Sequence, residues 1–260
     1  MKIKIFQIDA FSDKVFGGNP AAVCPLDSWL EDSILQQIAA ENNLAETSFF
    51  VPEGDVYRLR WFTPKAEVDL CGHATVAAAS VMFNQLNYKG TEIAFQSRSG
   101  ILKVTKNGDW YALNFPSDTL QKIEIKEEHR LCFDKIPAEI YKGKSDLMFV
   151  FDKPDDIMHI KPGLLQIASL PQRGVIVTST GTDVDFISRF FGPAVGIPED
   201  PVTGSAHTSL TPYWSKRLHK TELTARQVSE RGGYLKCKML GERVEISGQA
   251  AFYLSGEIVI

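Results

Sequence analysis

Metal-binding spacing is missing from this chain. Its five histidines, His73, His129, His159, His207 and His219, form no HxxxH or HExxH pattern, and Cys24, Cys71, Cys132 and Cys237 stand far apart without a CxxC pair. No protein-held metal is expected, and four scattered cysteines exclude the dense disulfide framework of a small secreted domain. No apolar run reaches the length of a membrane-spanning helix. There is no basic excess either: the net charge is −4, which offers no electrostatic footprint for nucleic acid or an anionic membrane. Low-complexity stretches and charge runs are absent, so no disordered linker is expected. The glycines of Phe16-Gly17-Gly18-Asn19-Pro20 lack both the GxGxxG pattern and the lysine of a P-loop. They read as a tight turn leading into a strand, with Asn19 near enough to a cleft to count as a further candidate.

What is present belongs to a globular protein, with 44% hydrophobic and 23% charged residues over 260 positions. The opening segment Met1 to Asp9 alternates polar and apolar residues as a half-buried strand does, without the apolar core of a signal peptide. Cytoplasmic residence is the expectation.

The second half of the chain is a worn copy of the first. Glu67-Val68-Asp69-Leu70-Cys71-Gly72-His73-Ala74-Thr75 aligns with Glu199-Asp200-Pro201-Val202-Thr203-Gly204-Ser205-Ala206-His207 at an offset of 132, and Phe62-Thr63-Pro64 with Phe191-Gly192-Pro193 at 129. Leu35 to Ala39 resembles Leu164 to Ala168, and Arg98 to Lys103 resembles Arg231 to Lys236. Four matches in one order, with a small drift in offset from loop insertions, imply two lobes of one fold. The expected lobes are residues 1–117 and 118–260. Phe115-Pro116-Ser117-Asp118 is the crossover, and the last strand, 252–260, has leftover length with which to return to the first lobe. A site between the lobes is expected.

Short apolar segments bounded by turn residues, such as Lys4 to Ile8, Tyr57 to Phe62 and Ile101 to Thr105, read as strands of a mostly antiparallel sheet. Glu31 to Asn42 has the single apolar stripe of a surface helix. Gly72 to Asn84 is apolar almost all round and must be enclosed. Ser205 to Leu218 takes its place in the second copy, where Pro212 should kink the helix or delay its start. The fold class is therefore α+β, with a sheet wrapped around a central helix once per lobe.

Both copies place a glycine and small residues where that helix begins. Unpaired N–H groups and the positive dipole end there suit a carboxylate or phosphate; the plainer alternative is that the glycines let a helix start beside a strand, with Thr203 and Ser205 as caps. Glu46 precedes an apolar strand, where partial burial should raise its pKa toward that of a general acid/base. At the 129 offset it faces Val175, so one lobe folds without it. His73, beside a helix start, should stay neutral. A thiol at Cys71 should become acidic there, but Cys71 aligns with Thr203, which disfavours a symmetric two-thiol racemase. Asp200 could orient a histidine or a water.

Together, Asp9-Ala10-Phe11, Phe16 to Pro20, Asn43-Leu44-Ala45-Glu46-Thr47 and the two glycine-led motifs resemble the PhzF-like family of phenazine-biosynthesis isomerases. The resemblance implies a diaminopimelate-epimerase-like fold of two lobes, each a barrel-like sheet around a central helix, commonly assembled as a homodimer. It implies an isomerase without a cofactor, moving a proton within a small cyclic or unsaturated carboxylic acid. Glu46 would be the proton shuttle, His73, Asp200 and Ser205 would hold substrate or water, and N–H groups at Gly72, His73, Gly204 and Ser205 would bind the carboxylate. The phenazine enzyme has alanine where this chain has Cys71 and His207, so its substrate does not transfer, and those two residues are further candidates. Rival expectations are an epimerase that depends on Cys71 and a non-catalytic binder of small carboxylates.

Overall fold

Period-two alternation dominates the sequence, and strands follow from it. The computed structural model describes residues 1–260 and divides into two units, Met1–Asn114 with Ser247–Ile260, and Phe115–Ile246. The first unit contains β1 (Lys2–Ala10), β2 (Asn19–Pro25), α1 (Asp32–Asn42), β3 (Glu46–Glu53), β4 (Val56–Phe62), β5 (Glu67–Val68), α2 (Gly72–Asn84), β6 (Glu92–Ser97), β7 (Gly100–Asn107) and β8 (Trp110–Pro116). In the second are β9 (Gln121–Ile123), α3 (Glu127–Arg130), β10 (Glu139–Lys142), β11 (Asp146–Val150), α4 (Pro154–His159), α5 (Leu164–Ala168) and β12 (Gly174–Thr180). It continues through β13 (Phe186–Gly192), β14 (Ile197–Asp200), α6 (His207–Leu218), β15 (Glu222–Gln227), β16 (Gly233–Leu240) and β17 (Arg243–Gly248). The last strand, β18 (Ala250–Val259), returns to the first unit and lies antiparallel to β1, from Lys2 opposite Val259 to Ala10 opposite Ala250. No helix is long and apolar enough to cross a membrane.

The duplication is written in the pairing. From β1 through β2, β3, β4 and β6 to β7 the neighbours run antiparallel, parallel, antiparallel, parallel, antiparallel. From β10 through β11, β12, β13 and β15 to β16 they run in the same sequence. Even the short β5 beside β4 has its counterpart in β14 beside β13. Loop lengths differ between the copies, but the order of the ladder does not.

Each unit closes on its own apolar core. In the first, Leu35, Ile38 and Ala39 of α1 pack on Phe49, Val51 and Phe62; burying a leucine such as Leu35 stabilises by about 2 kcal/mol. That helix stops at Asn43, whose left-handed φ of 49° lets its N–H reach the Ala39 carbonyl. Every residue of α2 from His73 to Phe83 is buried, and the helix packs on β1, β2, β3, β7 and β18. Its alanines admit the strands closely, which explains a helix with no polar face. Gly18, with φ +65°, makes the turn before Asn19; a Cβ there would stand 2.2 Å from the Ala10 carbonyl oxygen. The second core gathers Phe133, Phe149, Val177 and Phe191 around α4 and α5.

Pro212 does not break α6. The chain starts as a 3₁₀ turn, Gly204–Ala206, and becomes α-helical at His207, with Pro212 inside the helix. Proline removes the N–H that the Thr208 carbonyl would have accepted, and the Asp118 N–H supplies it instead at 3.0 Å. Asp118 is itself fixed: its carboxylate accepts from the N–H groups of Thr119 and Lys144 and from Ser209 Oγ, the last at 2.8 Å. Asp118→Ala is expected to destabilise the protein by about 1–2 kcal/mol in urea unfolding, whereas Lys122→Ala, on an exposed ion pair with Glu139, should move it by less than about 0.5 kcal/mol.

Candidate active site

Glu46 is the first residue of β3, and His73 lies in the first turn of α2. The two elements are tied where they meet, since Ser48 Oγ donates to the Ala74 carbonyl at 3.0 Å. Cys71 is the residue before the helix, and its carbonyl accepts from both the N–H and the hydroxyl of Thr75. Strand start and helix start therefore bring a carboxylate, an imidazole and a thiol together, although 25 residues separate Glu46 from Cys71.

The imidazole touches both of the others. His73 Nδ1 is 3.5 Å from Cys71 Sγ, and Nε2 is 3.0 Å from Glu46 Oε2. Distance alone would make the second contact a hydrogen bond, but the direction is wrong: both atoms are buried and neither has an aligned partner. It is a charge pair whose hydrogen-bonding capacity is unspent. Burial raises the Glu46 carboxyl, yet the His73 charge, with the His73 ring and the Cys71 thiol close beside it, outweighs burial and holds the group below its ordinary range. Burial likewise disfavours a charged His73, but the sulfur and the carboxylate overcome it and raise the ring well above 6.5. For Cys71, burial and then the Glu46 charge raise the thiol.

Three expectations are corrected by these directions. Glu46 is held ionised, not raised, because burial comes with a cation. His73 is pushed up, not down, because the Cys71 sulfur and the Glu46 carboxylate beside it outweigh burial and the helix dipole. Cys71 is pushed up, not made acidic, because burial and a neighbouring carboxylate oppose the helix start. Iodoacetamide should therefore modify Cys71 in the folded protein at least about tenfold more slowly than free cysteine at neutral pH, as peptide mass spectrometry would show.

Asn19, the first residue of β2, is fully buried in the first unit. The second unit holds the other candidates. Asp200 ends β14, buried, and its carboxylate accepts the Thr203 hydroxyl. Gln227 braces this loop, taking the Thr203 N–H at 2.8 Å and donating to the Asp200 carbonyl at 2.7 Å. Ser205 Oγ lies 3.1 Å from Arg173 Nη2, and the same nitrogen pairs with Asp146 at 2.6 Å. Gly204 is buried in the 3₁₀ turn. His207 is wholly buried; its Nδ1–H donates to the Thr203 carbonyl at 2.9 Å, and Nε2 has no partner. Sequence reasoning missed Arg173 and Gln227. Neither lies in a motif, and only the fold carries them to the second glycine turn.

The expectation of no protein-held metal rested on spacing along the chain. In space, Glu46, Cys71 and His73 each offer a donor atom, all within 4.8 Å of one another.

A sheet-dominated chain of two such units has the diaminopimelate-epimerase-like fold. A hydroxyproline epimerase of Agrobacterium vitis, solved with trans-4-hydroxy-L-proline bound, shares it with a TM-score of 0.67 over 99% of this chain and 92% of that one. At 9% identity the likeness is one of fold alone. The narrower relationship comes from the sequence: the PhzC-PhzF family, described as phenazine biosynthesis-like protein, matches residues 8–256, and the chain belongs to it. An uncharacterized isomerase of Pseudomonas aeruginosa is 50% identical over 258 residues, 99% of each chain. A crystal structure of a PhzF-family phenazine biosynthesis protein from Enterococcus faecalis is 46% identical, with a TM-score of 0.98 over all of both chains. The protein is an isomerase.

Proposed function

We propose that this isomerase moves a proton between carbons of a small carboxylic acid without a cofactor, with Glu46 as the general acid/base. The observation that supports this best is Glu46 Oε2 itself, a buried carboxylate oxygen held ionised beside His73 with no aligned donor. Such an oxygen can accept a proton without first surrendering a hydrogen bond, and the protonated carboxyl can return it to a second carbon. A carboxylate held below its ordinary pKa is a weak base, so the C–H bond must be activated by conjugation; an unsaturated or cyclic acid fits.

In this reading the N–H groups of Gly72 and His73 at the start of α2 hold the substrate carboxylate, and His73 preserves the charge of Glu46 between turnovers. For the second unit the same reading assigns substrate binding to Asp200, Gly204 and Ser205, with Arg173 lending positive charge at Ser205. The test is a screen of small carboxylic acids in D₂O, read by proton NMR for deuterium entering at carbon. Exchange with wild type and none with Glu46→Gln is expected. Exchange that survives Glu46→Gln would refute the assignment.

An epimerase dependent on Cys71 is the second reading, favoured by the contact of Sγ with His73 at 3.5 Å. The raised thiol pKa and the threonine at the matching position argue against it. Full exchange activity in Cys71→Ala would dispose of it.

A further inference from the structure

We propose that Glu46, Cys71 and His73 form a binding site for a thiophilic divalent cation of the zinc class, which withdraws the Glu46 carboxylate from proton transfer while it is bound. The second half of this statement rests on Glu46 being the base; the first does not.

The donor set is a cysteine sulfur, an imidazole nitrogen and a carboxylate oxygen, the three donors that protein zinc sites combine; the metal–sulfur and metal–nitrogen bonds form as the S–H proton of Cys71 and the Nε2 proton of His73 leave to solvent. It is also the one group of three or more such side chains in this chain that the fold brings together. With metal–sulfur bonds of about 2.3 Å and metal–nitrogen or –oxygen bonds of about 2.0–2.2 Å, donors around one tetrahedral ion stand roughly 3.3–3.7 Å apart. The ring Nε2 and the carboxylate are 3.0 Å apart, the sulfur is 3.5 Å from ring Nδ1, and one donor atom from each of the three residues lies within 4.8 Å of the others, so a small rotation of the ring or the thiol closes the set. These two contacts use different ring nitrogens, and an ion takes one of them. Nε2 is that atom, since it and Glu46 Oε2 are the buried pair with no aligned partner.

All three residues are buried, so most of the desolvation that binding demands has already been met by folding. A fourth position would be filled by water or an oxygen of a carboxylate ligand, as at zinc sites with three protein donors. Sulfur and nitrogen donors select zinc, cobalt and cadmium over magnesium and calcium, which prefer oxygen. Spacing could not have disclosed this site: Cys71 and His73 are separated by one residue, and the third donor comes from another element.

Metal-free full-length protein titrated with Co²⁺ provides the test, because thiolate ligation gives a near-ultraviolet charge-transfer band and tetrahedral geometry gives intense visible bands. Both are expected in wild type, displaced by Zn²⁺ and not by Mg²⁺. Cys71→Ser should abolish the charge-transfer band with an unchanged far-ultraviolet circular dichroism spectrum, while Cys132→Ser and Cys237→Ser retain it. Zinc affinity, measured by competition with a chromophoric chelator, should fall at least about tenfold in Glu46→Gln and in His73→Gln. No charge-transfer band in wild type, or a band that survives Cys71→Ser, would overturn the site. Deuterium exchange that continues in cobalt-saturated protein would leave the site standing and overturn Glu46 as the base.

Discussion

Glu46→Gln is expected to lower turnover by about 10³- to 10⁴-fold, the upper part of the range for loss of a positioned acid/base, with little loss of stability. The two parts have different physical origins. Turnover falls because an amide oxygen is too weak a base to take a proton from carbon. Stability survives because the partner is a histidine. Breaking a buried ion pair leaves an uncompensated charge and costs about 3–5 kcal/mol when the survivor cannot neutralise itself. His73 can, by releasing its proton once the carboxylate that raises its pKa is gone, and this limits the loss to about 1–2 kcal/mol. Urea unfolding reports the stability, and NMR of the His73 ring reports the proton: its pKa should fall toward the ordinary imidazole value in the variant. A normal unfolding midpoint with an unshifted His73 and full activity would refute the proposed role.

The architecture was legible because duplication prints twice. The enclosed helix was visible at Gly72–Asn84 because eleven consecutive buried residues leave no polar stripe, a pattern that only a surrounding sheet accounts for. The alternating parallel and antiparallel order was not legible, since β2 and β3 read alike whichever way they run. Glu46, Cys71 and His73 were each identifiable by type; Glu46 and Cys71 were marked further by their absence from the second copy, and His73 by its place at a helix start. Their protonation states were not legible. Burial, a helix dipole and a neighbouring charge push in opposite directions at this site, and only distances of 3.0 and 3.5 Å decide which prevails. Pro212 shows the same limit. Its residue type predicts a kink or a delayed start, and the regular helix does begin late, at His207; the N–H from Asp118 that replaces the missing one comes from a segment about ninety residues earlier in the chain.

His207 should make the fold acid-sensitive, in the sense opposite to His73. Burial pushes His207 down to about 4 from 6.5. Its Nδ1–H is committed to the Thr203 carbonyl, and no acceptor waits for a proton on Nε2. Below pH 6.5 the unfolded chain binds a proton at this residue that the folded chain refuses until about pH 4. The unfolded state therefore gains on acidification, and stability falls across that window by about 3 kcal/mol in total. His73 is raised in the fold, so its contribution is fully present below the ordinary value and is lost as pH rises through the folded one. His207→Asn keeps a side-chain donor near Thr203 but cannot titrate. Its unfolding free energy should therefore lose about 3 kcal/mol less than wild type between pH 7 and pH 4; carboxylates contribute equally to both proteins and cancel. Equal losses in the two proteins would mean that His207 is protonated in the fold. The two histidines of the duplicated motif stand two positions out of register, which gives one a pair of acceptors at the head of α2 and leaves the other enclosed at the head of α6.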